Sequence, residues 1–170
     1  MRSRMVLVVA VLGLISVSLI GQSKPSIQGV WRVVEITVTN PNPTYGSQPK
    51  GTHTDLQPAL AIFTGKHYSV TADTAAKPRP VTPFKVAASP TAEEAIPRWG
   101  PFLAHAGTYE ISGDVLTVRP IVNKASPAQG GGYFYRLTFK LDGNNLLITD
   151  IETSNGKAAN PVTVKYVRVE

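Results

Sequence analysis

The sequence predicts an all-β domain: an eight-stranded, up-and-down antiparallel β-barrel with one short helix in a long middle loop. Three observations lead there. Short runs rich in valine, isoleucine, threonine and tyrosine recur from residue 29 to the end of the chain, a composition suited to half-buried pleated strands. Tight glycine-bearing turns join three pairs of these runs, which makes sequence neighbours into hairpin partners. A sheet of eight such strands left open carries two unpaired edges, and closing it into a barrel removes both.

Residues 29–39 form the first strand, ended by Asn40-Pro41-Asn42-Pro43, and a polar loop runs on to Gln57. Residues 59–64 and 67–71 flank Gly65-Lys66 as a hairpin. The stretch 72–90 is rich in proline and alanine and reads as an irregular loop. Thr91-Ala92-Glu93-Glu94 has the pattern of a capping box, with the Thr91 hydroxyl and Glu94 carboxylate taking up early helix amides. Pro97 and Pro101 limit the continuation to broken turns, so a short helix is expected near residues 92–104, laid across one barrel end by Trp99 and Phe102. Residues 107–112 and 115–119 flank Gly113-Asp114, and residues 133–141 and 145–153 flank Asp142-Gly143-Asn144. Residues 161–170 supply the eighth strand.

Residues 1–23 read as a secretion signal. Arg2 and Arg4 make a positive n-region, residues 5–20 are uncharged and apolar, and Gly21-Gln22-Ser23 gives a small-x-small cleavage site, with Ser16-Val17-Ser18 as a competitor. The apolar run is short of the ~20 residues a membrane-spanning helix needs, so cleavage is expected rather than anchoring. The mature protein, residues 24–170, is therefore expected outside the cytoplasm, periplasmic or secreted, without stable membrane insertion. It has no cysteine, which excludes disulfides, thiolate catalysis and thiolate metal sites. Such an exported domain must be held together by its core. Of the 17 Lys and Arg, Arg2 and Arg4 belong to the leader, which leaves 15 basic side chains against 11 acidic ones, dispersed along the chain. That pattern gives no basic stripe for nucleic acid.

Gly29-Val30-Trp31 at the start of the first strand resembles the Gly-x-Trp signature of lipocalins. Arg168 stands where that family places an arginine over the tryptophan. The segments Ala106-Gly107-Thr108-Tyr109-Glu110-Ile111 and Gly113-Asp114-Val115-Leu116-Thr117-Val118 resemble the middle of bacterial lipocalin-like domains. The resemblance spans about residues 27–170 and departs from the family in its long middle loop and lack of a disulfide. It implies a barrel able to hold a small apolar molecule, as carrier or as enzyme.

Strand parity points to the interior independently. With period two, Tyr133, Tyr135, Leu137, Phe139 and Leu141 share one face, and Arg136 lies on the other. Tyr109 and Ile111 should point inward on their strand. The phase that buries Trp31 also carries Val33, Glu35 and Thr37 inward, unless a bulge sets Glu35 at the rim in water. The candidate ligand-binding residues are thus Glu35, Tyr109, Tyr133, Tyr135, Leu137 and Phe139. The tyrosine hydroxyls either fix a ligand's polar end or pair with protein groups in a filled core.

Catalytic patterns are sparse. His53, His67 and His105 lack any His-x-His or His-x-x-x-His spacing, so no metal site is expected. His53 and Asp55 come without a Gly-x-Ser-x-Gly elbow, and Gly130-Gly131-Gly132 precedes a strand rather than a helix N-terminus. No cofactor is indicated. Two functions remain: binding of a small, largely apolar molecule in the barrel, or an isomerase- or cyclase-type enzyme using Glu35 or His105 in the same cavity. A perturbed carboxylate or histidine on the cavity wall would favour the enzyme.

Overall fold

The structure, a computed structural model, describes residues 26–40, 49–79, 83–125, 130 and 132–170. The leader expected over residues 1–23 lies outside the described residues, as do residues 41–48 of the first loop and Gly131. The elements are β1 (Gly29–Val38), β2 (Gly51–His53), β3 (Ala59–Phe63), β4 (His67–Asp73), α1 (Ala92–Trp99), β5 (Phe102–Ser112), β6 (Val115–Asn123), β7 (Tyr135–Asp142), β8 (Asn145–Thr153), β9 (Gly156–Lys157) and β10 (Val162–Arg168).

Eight strands close on themselves in the order β10-β1-β3-β4-β5-β6-β7-β8, and β8 returns to pair with β10. Every pairing is antiparallel. The short β2 and β9 extend this barrel, β2 pairing with the far half of β1 and β9 with the end of β8. The expected eight-stranded barrel is the observed one.

Several boundaries differ from expectation. The helix stops at Trp99, and β5 starts at Phe102 rather than at residue 107. Beyond Pro101 the chain gains a full set of β4 partners, from Asp73↔Phe102 to His67↔Thr108, and these win over a helical continuation. Likewise β6 runs through Pro120 to Asn123, while β7 begins at Tyr135 and leaves Tyr133 before the strand. The capping box on α1 is present: the Glu94 amide donates to the Thr91 hydroxyl, and the Glu94 carboxylate accepts from the Thr91 amide. Hydrogen bonds from the Thr91 and Lys85 backbone amides hold the Glu94 carboxyl below its ordinary range. The helix buries no side chain, and its end, at Arg98 and Trp99, borders a surface cleft shared with the cavity-lining Gln57 and Asp73. Trp99 packs edge-on against Phe102 with ring centroids 6.3 Å apart and stays largely exposed.

One end of the barrel is filled. Trp31 is 0% exposed, its indole N–H donates to the Ile27 carbonyl at 2.7 Å, and Phe63, Leu116 and Leu146 belong to the same buried cluster. Trp31 pairs with Arg168 across the closing seam, and the guanidinium stands 4.1 Å above the indole. Arg168 also donates to the Ser26 and Gln28 carbonyls, tying down the approach to β1. Gly29 has φ +133°, and a Cβ there would meet an Arg168 guanidinium nitrogen at 2.4 Å, so this position admits only glycine.

Toward the other end, three β-bulges each add one residue. Val34 is extra on β1, Ile121 on β6 and Ile151 on β8, as the register steps around them show. A bulge changes which side chains face in, because inward orientation follows a count of two. Gly107 stands opposite the β6 bulge, where a Cβ would lie 2.0 Å from the Arg119 carbonyl oxygen.

Candidate functional site: a polar-tipped cavity in the barrel

Above the filled base the barrel encloses a cavity of about 240 Å³. Its wall is built mainly of apolar side chains, among them Val33 and Ile36 of β1, Val70 of β4, Leu103 of β5, Leu137 of β7 and Val164 of β10. Leu56, Gln57, Thr74 and Ala75 border it beyond the ends of β3 and β4. A cavity of about 150 Å³ accommodates benzene, so this one suits a molecule of about ten heavy atoms.

The polar groups on the wall come from five strands. Tyr68 of β4 and His105 of β5 meet with the hydroxyl 2.9 Å from the imidazole Nδ1. Burial pushes His105 down to about 4 and raises the Tyr68 phenol, so the imidazole is neutral at physiological pH and serves as a hydrogen-bonding group. Tyr135 of β7 accepts a hydrogen bond from the Asn123 amide at 3.2 Å and stands near His105, with ring centroids 5.8 Å apart. Asp150 of β8 and Tyr166 of β10 complete the group. Burial raises the Asp150 carboxyl to about 6. Burial also raises Tyr166 and Tyr135, and the nearby Asp150 charge raises both further.

Two more carboxylates reach the wall, each paired. Asp73 binds Arg79 at 2.5 Å, and Glu152 binds Arg136 at 2.5 Å. Among the described residues, no Lys or Arg lines the cavity, and no group of three or more His, Asp or Glu is placed to hold a metal ion.

The sequence-derived candidates separate into two groups. Tyr135 and Leu137 line the cavity. Glu35, Tyr109, Tyr133 and Phe139 are not among its lining residues, and each has a physical reason. The bulge at Val34 restarts the count on β1, so Val33 and Ile36 face the cavity while parity turns Glu35 and Thr37 away. Thr37 instead bonds the Thr52 hydroxyl on the outer side. The expectation that parity carries Glu35 inward is thereby corrected in favour of the bulge. Tyr109 packs edge-on against Phe63 at the filled end and donates to the Thr64 carbonyl at 2.5 Å. Tyr133 precedes β7, accepts from the Asn155 amide and stacks edge-on against Tyr135. Phe139 packs on the buried cluster.

Tyr68, Asp150 and Tyr166 are reachable by the same parity rule. Tyr68 alternates with Val70 and Ala72, Asp150 with Leu146 and Ile148, and Tyr166 with Val162 and Val164. From sequence His105 reads only as a loop-edge residue, because the helix is expected to reach residue 104.

Of the histidines, His53 bonds the Pro49 carbonyl and His67 is exposed, so His105 alone reaches the cavity. Arg136 is on the outer face, as parity requires. Among the described residues no helix is long and apolar enough to cross a membrane. Compared with protein-family models and with curated proteins, the sequence gives no match.

Proposed function

We propose that this protein is an exported, lipocalin-like binder of a small, largely apolar molecule held inside the barrel. The observation that carries this reading is the cavity itself: about 240 Å³, apolar over most of its wall, with polar groups gathered at Tyr68, His105, Tyr135, Asp150 and Tyr166. Enclosed apolar space with a few convergent polar groups is the usual construction of a small-molecule site. The charged n-region and apolar stretch of residues 1–23 support export.

Naphthalene is a suitable probe because its size matches the cavity and it fluoresces. Burying about 300 Å² of apolar ligand surface at ~25 cal/mol per Å² gives roughly 7 kcal/mol before association costs, which bring the net toward micromolar affinity. Saturable binding that weakens in Tyr135→Trp, with the fold intact by circular dichroism, is the expected result. Absence of saturable binding to wild type overturns the reading.

A second reading, isomerase- or cyclase-type acid–base catalysis on the same class of molecule, is favoured by one observation. Asp150, raised to about 6, is matched to proton transfer near neutral pH, and the neutral His105 shares the wall as a hydrogen-bonding group. Chromatography of recovered ligand separates the two: a carrier returns it unchanged, an enzyme returns an isomer.

A further inference from the structure

The cavity wall has a sign. Three carboxylates reach it, from Asp73, Asp150 and Glu152, and no cationic side chain among the described residues does. Two of the three are satisfied by arginines standing outside the lining, Arg79 and Arg136. Asp150 is different: its carboxylate makes no hydrogen bond or ion pair with any described residue, and the phenols of Tyr135 and Tyr166 are near it. Tyr166 is only 8% exposed, and its hydroxyl likewise has no hydrogen-bond partner among the described residues. Neither group is a sealed, unsatisfied polar atom: both line the mainly apolar cavity without a protein partner, where an arriving ligand can bond them.

We propose that the ligand is a small monocationic amine with an apolar body, its ammonium held by Asp150 and Tyr166 and its hydrocarbon part lying along Val33, Val70 and Leu137. This rests on the reading of the barrel interior as a binding site. An ammonium supplies what the wall lacks: donors for the Asp150 carboxylate and the Tyr166 oxygen, and one positive charge for one unpaired negative charge. The aromatic rings of Tyr68, Tyr135 and Tyr166 add faces that attract a cation. A carboxylate ligand would instead meet like charge.

The groups facing Asp150 set the pH window. They are Tyr135 from β7, Tyr166 from β10, His105 from β5, Tyr68 and Asp73 from β4, and Glu152 on its own strand, the last paired with Arg136. The tyrosines are raised and His105 is lowered to about 4, so Asp150, at about 6, is the group that changes charge between pH 5 and 7. Amine binding should therefore strengthen as pH rises through 6 and fall about tenfold from pH 7.5 to 5.

The test is calorimetric titration with three near-isosteric probes: 2-phenylethylamine, 2-phenylethanol and phenylacetate. At pH 7.5 the amine should bind about tenfold or more tighter than the alcohol, as a charge-assisted hydrogen bond allows. Its preference should collapse at pH 5 and in Asp150→Asn, which should keep the alcohol's affinity; naphthalene should compete with the amine. The wild-type pH profile needs no variant, so the proposal is decided even where Asp150→Asn folds poorly. Equal binding of amine and alcohol overturns the amine assignment and leaves interior binding standing. Tightest binding of phenylacetate overturns the assigned charge. Failure of all three probes and of naphthalene overturns interior binding as well.

Discussion

Removing Trp31 should unseat the base of the barrel, and the size of the effect can be worked from its surroundings. The side chain is fully buried among Phe63, Leu116 and Leu146, so Trp31→Ala loses its transfer free energy and leaves a cavity, costing about 3–5 kcal/mol. It also loses the indole hydrogen bond to Ile27, about 1 kcal/mol. Arg168→Ala removes the guanidinium from the indole face, about 0.5–2 kcal/mol. It further frees the Ser26 and Gln28 carbonyls, which water then solvates at little cost. The two losses overlap, because the stacking energy disappears in either single variant. Urea unfolding of wild type, both single variants and the double variant should give a coupling of about 1 kcal/mol. Trp31→Ala within 1 kcal/mol of wild type, or a coupling of zero, would refute the seam between β1 and β10 as the element that locks the base.

The wall makes an opposed pair of pH signatures. Asp150 is raised from 3.8 to about 6 in the folded state, so the folded protein holds the extra proton between those values and loses stability as pH rises through them. His105 is lowered from 6.5 to about 4, so the unfolded chain holds the extra proton and stability grows as pH rises through that window. Each amounts to ~3 kcal/mol at full strength, and they nearly cancel between pH 4 and 6.5. His105→Gln should unmask a falling stability curve and Asp150→Asn a rising one; parallel curves for all three proteins in thermal melts would sink the argument. At Gly107, alanine would drive a Cβ against the Arg119 carbonyl opposite the β6 bulge, so Gly107→Ala should cost about 2 kcal/mol or more in the same urea assay, whereas Gly132→Ala, with open space around it, should cost little.

The barrel was legible in the sequence because its signals are local. Gly65-Lys66, Gly113-Asp114 and Asp142-Gly143-Asn144 each mark a turn within its hairpin, and Thr91 with Glu94 marks the helix start. The pairing of Trp31 with Arg168 was legible only through the family resemblance, since no local rule joins residues so far apart. The cavity wall was half legible. Parity held where strands are regular and failed at Glu35, because an extra valine in Val33-Val34 looks like any other strand residue. A bulge is decided by the partner strand, which sequence periodicity does not contain. His105 escaped for a related reason: the helix ends and β5 begins within Gly100 and Pro101, where the turn chemistry allows either course. Asp150 and Tyr166 needed no new rule, only the alternation of Leu146-Ile148 and Val162-Val164 carried one step further.

The closing seam also sets a timetable for synthesis. Trp31 leaves the ribosome early, and β3 can pair with one edge of β1 soon afterwards. Its other edge waits for β10, which follows all seven of the other barrel strands in chain order. At ~5–20 residues per second that delay is roughly 7 to 30 s. Until β10 is in place β1 lacks its partner on that edge, and so does β8 once it is made, so the chain is an open, curled sheet rather than a vessel. A stop codon anywhere before β10 would freeze that state, with two adhesive edges and an uncovered apolar face, and the product should self-associate rather than bind anything.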